Sequence, residues 1–362
     1  MTFTRWSASV NFVLALMIAL TFSSLGAISN HALAIEPVRP DQESFLIRAV
    51  FADRYLWLLS DAGQLSAIAE AGDKRVAMDL SEPVLDLCRN DGQPMAITGA
   101  TGKAWTLRRW INQIWSPMAV IPRDGDELRA INCADGTETI LTSNRLIGVD
   151  RNGAIHVTHL SGKLNHGTVT ATYDGGNDFY VAFDAGEWGG GLQRIDKSTG
   201  AVVFVDRNVS GELCGGPLNA DCDPVNGVVR EPWNTDCLAV AVGLVHMMMH
   251  GRIVEACGDK IRLLYAKPHA SAWADLSKKH VPITETVAFF GLTASEDALW
   301  AVGIDGLYRI DRNGAAASTP LPQFRTIGGI GVSFENPALI FVMTDANQRH
   351  SVSGGVPMLV PR

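Results

Sequence analysis

A short motif occurs three times in this sequence in related form. It is RLIGVDRNG at residues 145–153, GLQRIDKSTG at 191–200 and GLYRIDRNG at 306–314. Each copy joins an apolar, strand-like segment to an aspartate and a glycine-containing turn, which is typical of antiparallel hairpins. Asp150 and Asp196 are 46 residues apart. β-Units that recur every ~40–50 residues are the pattern of propeller blades.

Two cysteines support the same period independently. Cys88 and Cys133 are 45 residues apart, and an Asp-Gly pair follows each of them shortly, at 91–92 and 135–136. We therefore expect an all-β fold consisting of a single β-propeller. Seven four-stranded blades fit the segment count best, and six remain possible. Blades four, five and six are expected near 168–206, 225–266 and 286–320.

The bulk composition agrees with a large folded domain. Of the 362 residues, 47% are hydrophobic and 19% are charged, and 35 are glycines that suit many short strands and turns. The formal net charge of −8 disfavours a nucleic acid partner. No block of Lys and Arg is present, which also disfavours binding to anionic membrane surfaces.

The N-terminal residues have the features of a bacterial signal peptide. Arg5 precedes a nearly unbroken apolar run at 10–22, and Ala32-Leu33-Ala34 offers a small-x-small cleavage site. We expect a signal peptide at 1–34 and a propeller domain at 35–362, in the periplasm or secreted, with no membrane span after cleavage. An uncleaved anchor is the alternative.

The two ends of the propeller are expected to meet. The last segment, 325–361, supplies one strand too few for a blade, and residues 36–41 could add the missing outer strand and close the ring. Residues 207–224 interrupt the period as an insertion between blades four and five. Such an insertion emerges on the same face as the loops between second and third strands, so this face is expected to be rich in loops.

Six cysteines in an exported chain predict disulfides. Cys237 starts the second strand of blade five and Cys257 ends its third strand, so antiparallel pairing brings them together. Cys214 and Cys222 lie in the insertion, where a bridge would limit its unfolded conformations. For Cys88 and Cys133 the sequence leaves two alternatives open, which are a disulfide between them and two buried free thiols.

The candidate binding residues lie on the loop-rich face. Carboxylates on this face could bind calcium or act as acid and base. A resemblance to sugar-lactonase-like propellers would imply acidic and Asn ligands at the central channel, for which Glu187, Asn219 and Asp223 are the candidates. Trp188 could stack on a sugar or peptide, or pack between blades. In an extended strand His246, Met248 and His250 share one side and form a possible copper site. The alternatives are solvated loop acids and methionines that pack on a neighbouring blade.

The repeated Gly-Leu-x-Arg-Ile-Asp motif resembles the blades of exported bacterial propellers, a group that includes two-component-regulator, quinoprotein-like and lactonase-like repeats. This resemblance implies a fold and not a reaction, because the group includes sensors, lyases, lactonases and scaffolds. The evenly placed tryptophans of the quinone-binding members are missing, and so is a clear catalytic metal ligand set.

The sequence analysis leaves three hypotheses about function. The first is a non-catalytic binding protein that takes an unknown protein, peptide or saccharide on the loop-rich face and needs no cofactor. The second is a metal-assisted hydrolase or lyase, lactonase-like, at the central channel. The third is copper binding through His246, Met248 and His250. No nucleophile elbow, phosphate-binding glycine loop or paired zinc-type cysteine spacing is present, which favours the first.

Overall fold

The chain folds as a β-propeller. The computed structural model describes residues 46–72, 74–100, 102, 104–134, 136–205, 214–246, 249–269, 285–321, 330–335, 339–344 and 358–361. Within these residues there are six four-stranded antiparallel sheets and a further sheet of three strands, and in each sheet the strands follow one another in chain order. The expected signal peptide and the expected closing strand at 36–41 lie outside the described residues.

The first three blades run from the start of the described chain. Blade one comprises β1 (Leu46–Ala52), β2 (Tyr55–Ser60), β3 (Leu65–Ala69) and β4 (Arg75–Met78). Blade two comprises β5 (Val84–Asn90), β6 (Gln93–Thr98), β7 (Ala104–Ile111) and β8 (Ile114–Pro122). Blade three comprises β9 (Leu128–Ala134), β10 (Thr137–Thr142), β11 (Arg145–Val149) and β12 (Ile155–His159).

The remaining sheets continue in the same order. Blade four comprises β13 (Thr168–Asp174), β14 (Asp178–Asp184), β15 (Gly190–Asp196) and β16 (Val202–Phe204). Blade five comprises β17 (Val225–Arg230), β18 (Leu238–Val245), β19 (Met249–Cys257) and β20 (Lys260–Tyr265). Blade six comprises β21 (Phe289–Ala294), β22 (Leu299–Gly303), β23 (Gly306–Ile310) and β24 (Ala316–Pro320). The seventh sheet comprises β25 (Ile330–Glu335), β26 (Leu339–Thr344) and β27 (Met358–Pro361).

The first strands of the sheets form a closed inner ring. Each first strand contacts the first strand of the next sheet, and β25 contacts β1. The hydroxyl of Ser333 on β25 donates to the carbonyl of Ala49 on β1 at 2.7 Å. The ring is therefore closed by contact between its first and last inner strands.

β-Bulges on the inner strands help to join neighbouring blades. Six of the inner strands shift register by one residue where they pair with the second strand. A bulge turns the extra residue away from the ladder. The bulged residues Arg129, Thr170 and Asn226 each donate a side-chain hydrogen bond to a backbone carbonyl at or beside the next inner strand.

The hydrophobic core lies between successive blades. One cluster joins Ile97 and Trp105 of blade two to Ile140 and Ile147 of blade three. Corresponding clusters lie between blades four and five and between blades five and six. Apolar residues on both faces of a blade are therefore buried against the neighbouring blades, and the core of the ring consists of clusters between successive sheets.

The repeated motif forms the third strand and the following turn in blades three, four and six. In blades three and six the aspartate at the end of the strand, Asp150 or Asp311, accepts backbone N–H groups two and four residues later. In blade four Asp196 accepts from the N–H groups of Ser198 and Thr199. The recurring aspartates therefore hold turns, which is a structural role.

Candidate functional site

Loops from blades four and five meet on the loop-rich face. They are the β14–β15 loop, the β16–β17 insertion and the β18–β19 loop. The insertion is described from residue 214 onward, and its earlier part lies outside the described residues. A short 3-10 helix, Gly186–Trp188, forms in the β14–β15 loop, where the N–H of Gly186 donates to Asp184 Oδ1 at 2.7 Å.

The insertion packs tightly against this loop. The N–H of Gly190 donates to the carbonyl of Ala220 at 2.9 Å, and that of Gly191 donates to the carbonyl of Asp223 at 2.8 Å. Gly189 has φ +81°, and a Cβ there would overlap the backbone of residues 220–222. Glycine is required because the two loops approach each other backbone to backbone.

Asp223 stabilises the insertion from inside. It is 2% exposed. Its Oδ2 accepts from the Asn219 N–H at 2.6 Å and from the Arg252 guanidinium, while Arg252 Nε donates to the Pro217 carbonyl at 2.7 Å. His250 Nε2 lies 3.6 Å from Asp223 Oδ1. These contacts tie the insertion to β19 beneath it.

Asn219 has a similar role. Its side chain is buried, its Oδ1 accepts from the Asp221 N–H at 2.9 Å, and its Nδ2 donates to the Gly215 carbonyl at 3.2 Å. Asn219 and Asp223, which the sequence analysis proposed as ligands together with Glu187, are thus buried inside the insertion.

Glu187, Trp188 and His246 point outward together. Glu187 Oε2 and His246 Nδ1 are 3.0 Å apart, and both side chains are half-exposed. Trp188 is 71% exposed. It does not pack between blades, which was the alternative from sequence. An exposed indole on a braced loop can stack on a ring, and the carboxylate–imidazole pair of the same face can form hydrogen bonds.

The copper site expected at His246, Met248 and His250 stays a prediction. His246 has Glu187 as its carboxylate neighbour, whereas His250 has Asp223. Met248 lies outside the described residues. In the part of the chain that the structure describes, one trio of His, Cys, Asp or Glu side chains is close enough to share a metal ion, and it lies elsewhere, at Cys237, Glu255 and Cys257.

Three disulfides are present among the described residues. Cys214–Cys222 closes the insertion, and Cys237–Cys257 joins β18 to β19, as the sequence predicts for both. Cys88–Cys133, which the sequence left open, joins the inner strands of blades two and three. The insertion is therefore held by a covalent link, a buried carboxylate and direct backbone contacts.

Sequence reasoning missed a buried pair of carboxyl groups in blade five. Glu231 is 1% exposed and Glu255 is also buried. Burial and the adjacent Glu255 raise the pKa of Glu231 to about 7. The strand register predicts that Arg262 faces Glu255, but nothing in the sequence brings Glu231 to the same place.

Comparison with known proteins gives the fold and no family. No family model and no curated protein matches the chain. The extracellular domain of BT4673 from B. thetaiotaomicron, described as a one component system, aligns with a TM-score of 0.51 at 14% identity, over 83% of this chain and 37% of that one. YCF48 from Cyanidioschyzon merolae aligns with a TM-score of 0.51 at 12% identity, over 83% of this chain and 92% of that one.

Among the described residues no helix has the length and apolar character needed to cross a bilayer.

Proposed function

We propose that this chain is an exported, non-catalytic binding protein, and that its binding site is formed by Glu187, Trp188 and His246 on the loop-rich face. The observation that carries the proposal is the exposure of Trp188 on a loop that the insertion holds in place. Exposed aromatic side chains on rigid supports are the residues that dominate binding energy in protein complexes. A preorganised loop also loses little conformational freedom when a ligand binds.

Export is supported by two observations. All six cysteines lie in disulfides, and disulfides persist in oxidising compartments. One structural neighbour is an extracellular domain. The ligand classes that suit the site are a protein segment, a peptide or a saccharide, because each can present an apolar face to an indole and polar groups to Glu187 and His246.

The test uses arrays of oligosaccharides and of peptides probed with the wild type and with Trp188→Ala. We expect wild-type binding to at least one class and a loss of about 30-fold in the variant, the effect of a binding hot spot of ~2 kcal/mol. Ile114→Ala is the control, because Ile114 is a similarly exposed apolar residue at 64% and lies in blade two. Equal binding by wild type and Trp188→Ala would refute the proposal.

A chelator separates the binding function from the metal-dependent alternatives. Binding that persists in the presence of EDTA agrees with a site made of protein groups alone. Loss of binding with EDTA, restored by calcium or copper, would instead favour a metal-dependent activity at this face.

A further inference from the structure

A second cluster of reactive groups lies in blade five, and all four strands or their ends contribute to it. On β19 Glu255 and Cys257 are two residues apart and so share one face. The register of β18 and β19 pairs Leu238 with Ala256, which sets Cys237 opposite Cys257 at a Cα separation of 4.3 Å. Both sulfur atoms and a carboxylate oxygen of Glu255 lie within 4.8 Å of one another.

Glu231, which directly follows β17, lies next to this trio. Its N–H donates to the carbonyl of Cys237 at 3.0 Å. Its carboxyl group lies near Glu255 and Trp233, and neither of its buried oxygens makes a hydrogen bond of normal geometry with the described residues. A buried carboxyl group without partners is costly, by about 1–3 kcal/mol or more, so its retention calls for an explanation.

The cluster has an excess of negative groups. Arg262 on β20 binds Glu255 through both Nε and Nη2, with Nη2 2.6 Å from Oε2. One guanidinium thus faces two carboxyl groups. Burial disfavours a negative charge on Glu231, and repulsion from Glu255 adds to this effect.

We infer that reduction of the Cys237–Cys257 disulfide turns this cluster into a binding site for one divalent metal ion of the zinc class. Cys237, Cys257 and Glu255 would be ligands, with Glu231 as the fourth. Thiolates and carboxylates are donors that zinc accepts in tetrahedral sites, and zinc has no redox chemistry of its own to conflict with them.

The chemistry balances with a dithiol or a phosphine as the reductant. Reduction adds two electrons and two protons to the disulfide. A dithiol supplies both and becomes a disulfide, whereas a phosphine supplies the electrons and becomes its oxide, with one water molecule giving the oxygen atom and the two protons. Metal binding then releases both thiol protons and any proton held between the carboxyl groups. The positive metal ion would neutralise the negative charge of the thiolates and carboxylates, which Arg262 alone does not neutralise. The metal site is separate from the loop-rich face, so this inference does not depend on the proposed function.

The experiment uses cobalt(II) as a spectroscopic probe on the full mature chain. After anaerobic reduction with a phosphine, we expect thiolate-to-cobalt charge-transfer absorption with one cobalt per chain, and displacement of the cobalt by zinc. The absorption should be absent from the oxidised protein and from the reduced Cys237→Ser/Cys257→Ser variant. Because that variant keeps the other four cysteines, the difference from wild type isolates this pair.

Glu231→Gln tests the role of the orphaned carboxyl group, and Glu138→Gln is its matched control. Glu138 is also fully buried, also has an oxygen without a partner among the described residues, and pairs in register with Cys133. We expect Glu231→Gln to weaken cobalt affinity by about tenfold or more and Glu138→Gln to leave it unchanged. Charge-transfer bands that are missing from reduced wild type, or unchanged in Cys237→Ser/Cys257→Ser, would overturn the inference. Equal affinities in the two glutamate variants would remove Glu231 from the site.

Discussion

Gly189→Ala tests whether the contact between the β14–β15 loop and the insertion holds the candidate site. Gly189 has φ +81° and ψ −126°, a backbone conformation that residues with a side chain rarely enter. A Cβ at this position would also meet the backbone of residues 220–222. Backbone atoms cannot rotate away as a flexible side chain does, so one of the two loops must move.

Gly186→Ala is a matched control in the same loop. Gly186 has φ +63°, and no atom lies within 4 Å of the position its Cβ would take. An alanine at this position is destabilising only because it must adopt the left-handed conformation, which costs about 1–2 kcal/mol. Gly189→Ala adds overpacking, which costs about 1–3 kcal/mol. We therefore expect Gly189→Ala to destabilise the protein by ~2–5 kcal/mol and Gly186→Ala by at most ~2 kcal/mol.

Urea unfolding measures both variants, and limited proteolysis of the native proteins locates the change. We expect a lower midpoint for Gly189→Ala with an unchanged slope, and faster cleavage within 214–224 in that variant alone. Ligand binding through Trp188 should fall with it. The same midpoint and the same cleavage rate in both variants would show that the loop contact does not hold the site, and the argument for a preorganised loop would fail.

Three further predictions follow from the described contacts. Replacing Cys214 and Cys222 with serine should lower the free energy of unfolding by about 2–3 kcal/mol, measured in urea, because the bridge closes a short loop. Burial raises the pKa of Asp126, but hydrogen bonds from Asn144, Thr142 and Arg145 outweigh burial and leave it below its usual value. The stabilisation by ionised Asp126 is thus present above the pKa that this group has in the unfolded chain, and it is lost as the pH falls through the pKa of the folded state. Asp126→Asn should therefore reduce the fall in Tm on acidification, measured in thermal melts at a series of pH values. Asp311→Ala should cost ~1 kcal/mol in urea, because it removes two turn hydrogen bonds.

The period and the turns of the fold were predictable from sequence because they rest on local chemistry. β13 begins at Thr168 and β17 at Val225, where the sequence places blades four and five. The Cys237–Cys257 bridge follows from antiparallel pairing of two neighbouring strands. These features depend on residues that are close in sequence or in adjacent strands. The alternation of apolar and polar residues and the positions of turn residues are therefore enough to predict them.

The roles of individual polar residues were less predictable because burial depends on packing between distant segments. Asp223 and Trp188 both belong to loops of the same face, yet one is inside the insertion and the other is in solvent. No pattern distinguishes them, since Arg252 reaches Asp223 from a different strand. Glu231 is buried near Glu255 although β18, on which Ala239 pairs with Glu255, separates the strands that carry them.

Two of the buried glutamates, Glu138 and Glu231, share one more feature that bears on how the fold tolerates them. Glu138 pairs with Cys133 in the register of β9 and β10, and the Glu231 N–H is bonded to the carbonyl of Cys237. Each therefore lies beside a cysteine that joins two strands covalently. A disulfide contributes roughly 2–4 kcal/mol, comparable with the cost of one poorly paired buried carboxyl group. The stabilisation from each disulfide therefore offsets the destabilisation from the neighbouring buried carboxyl group.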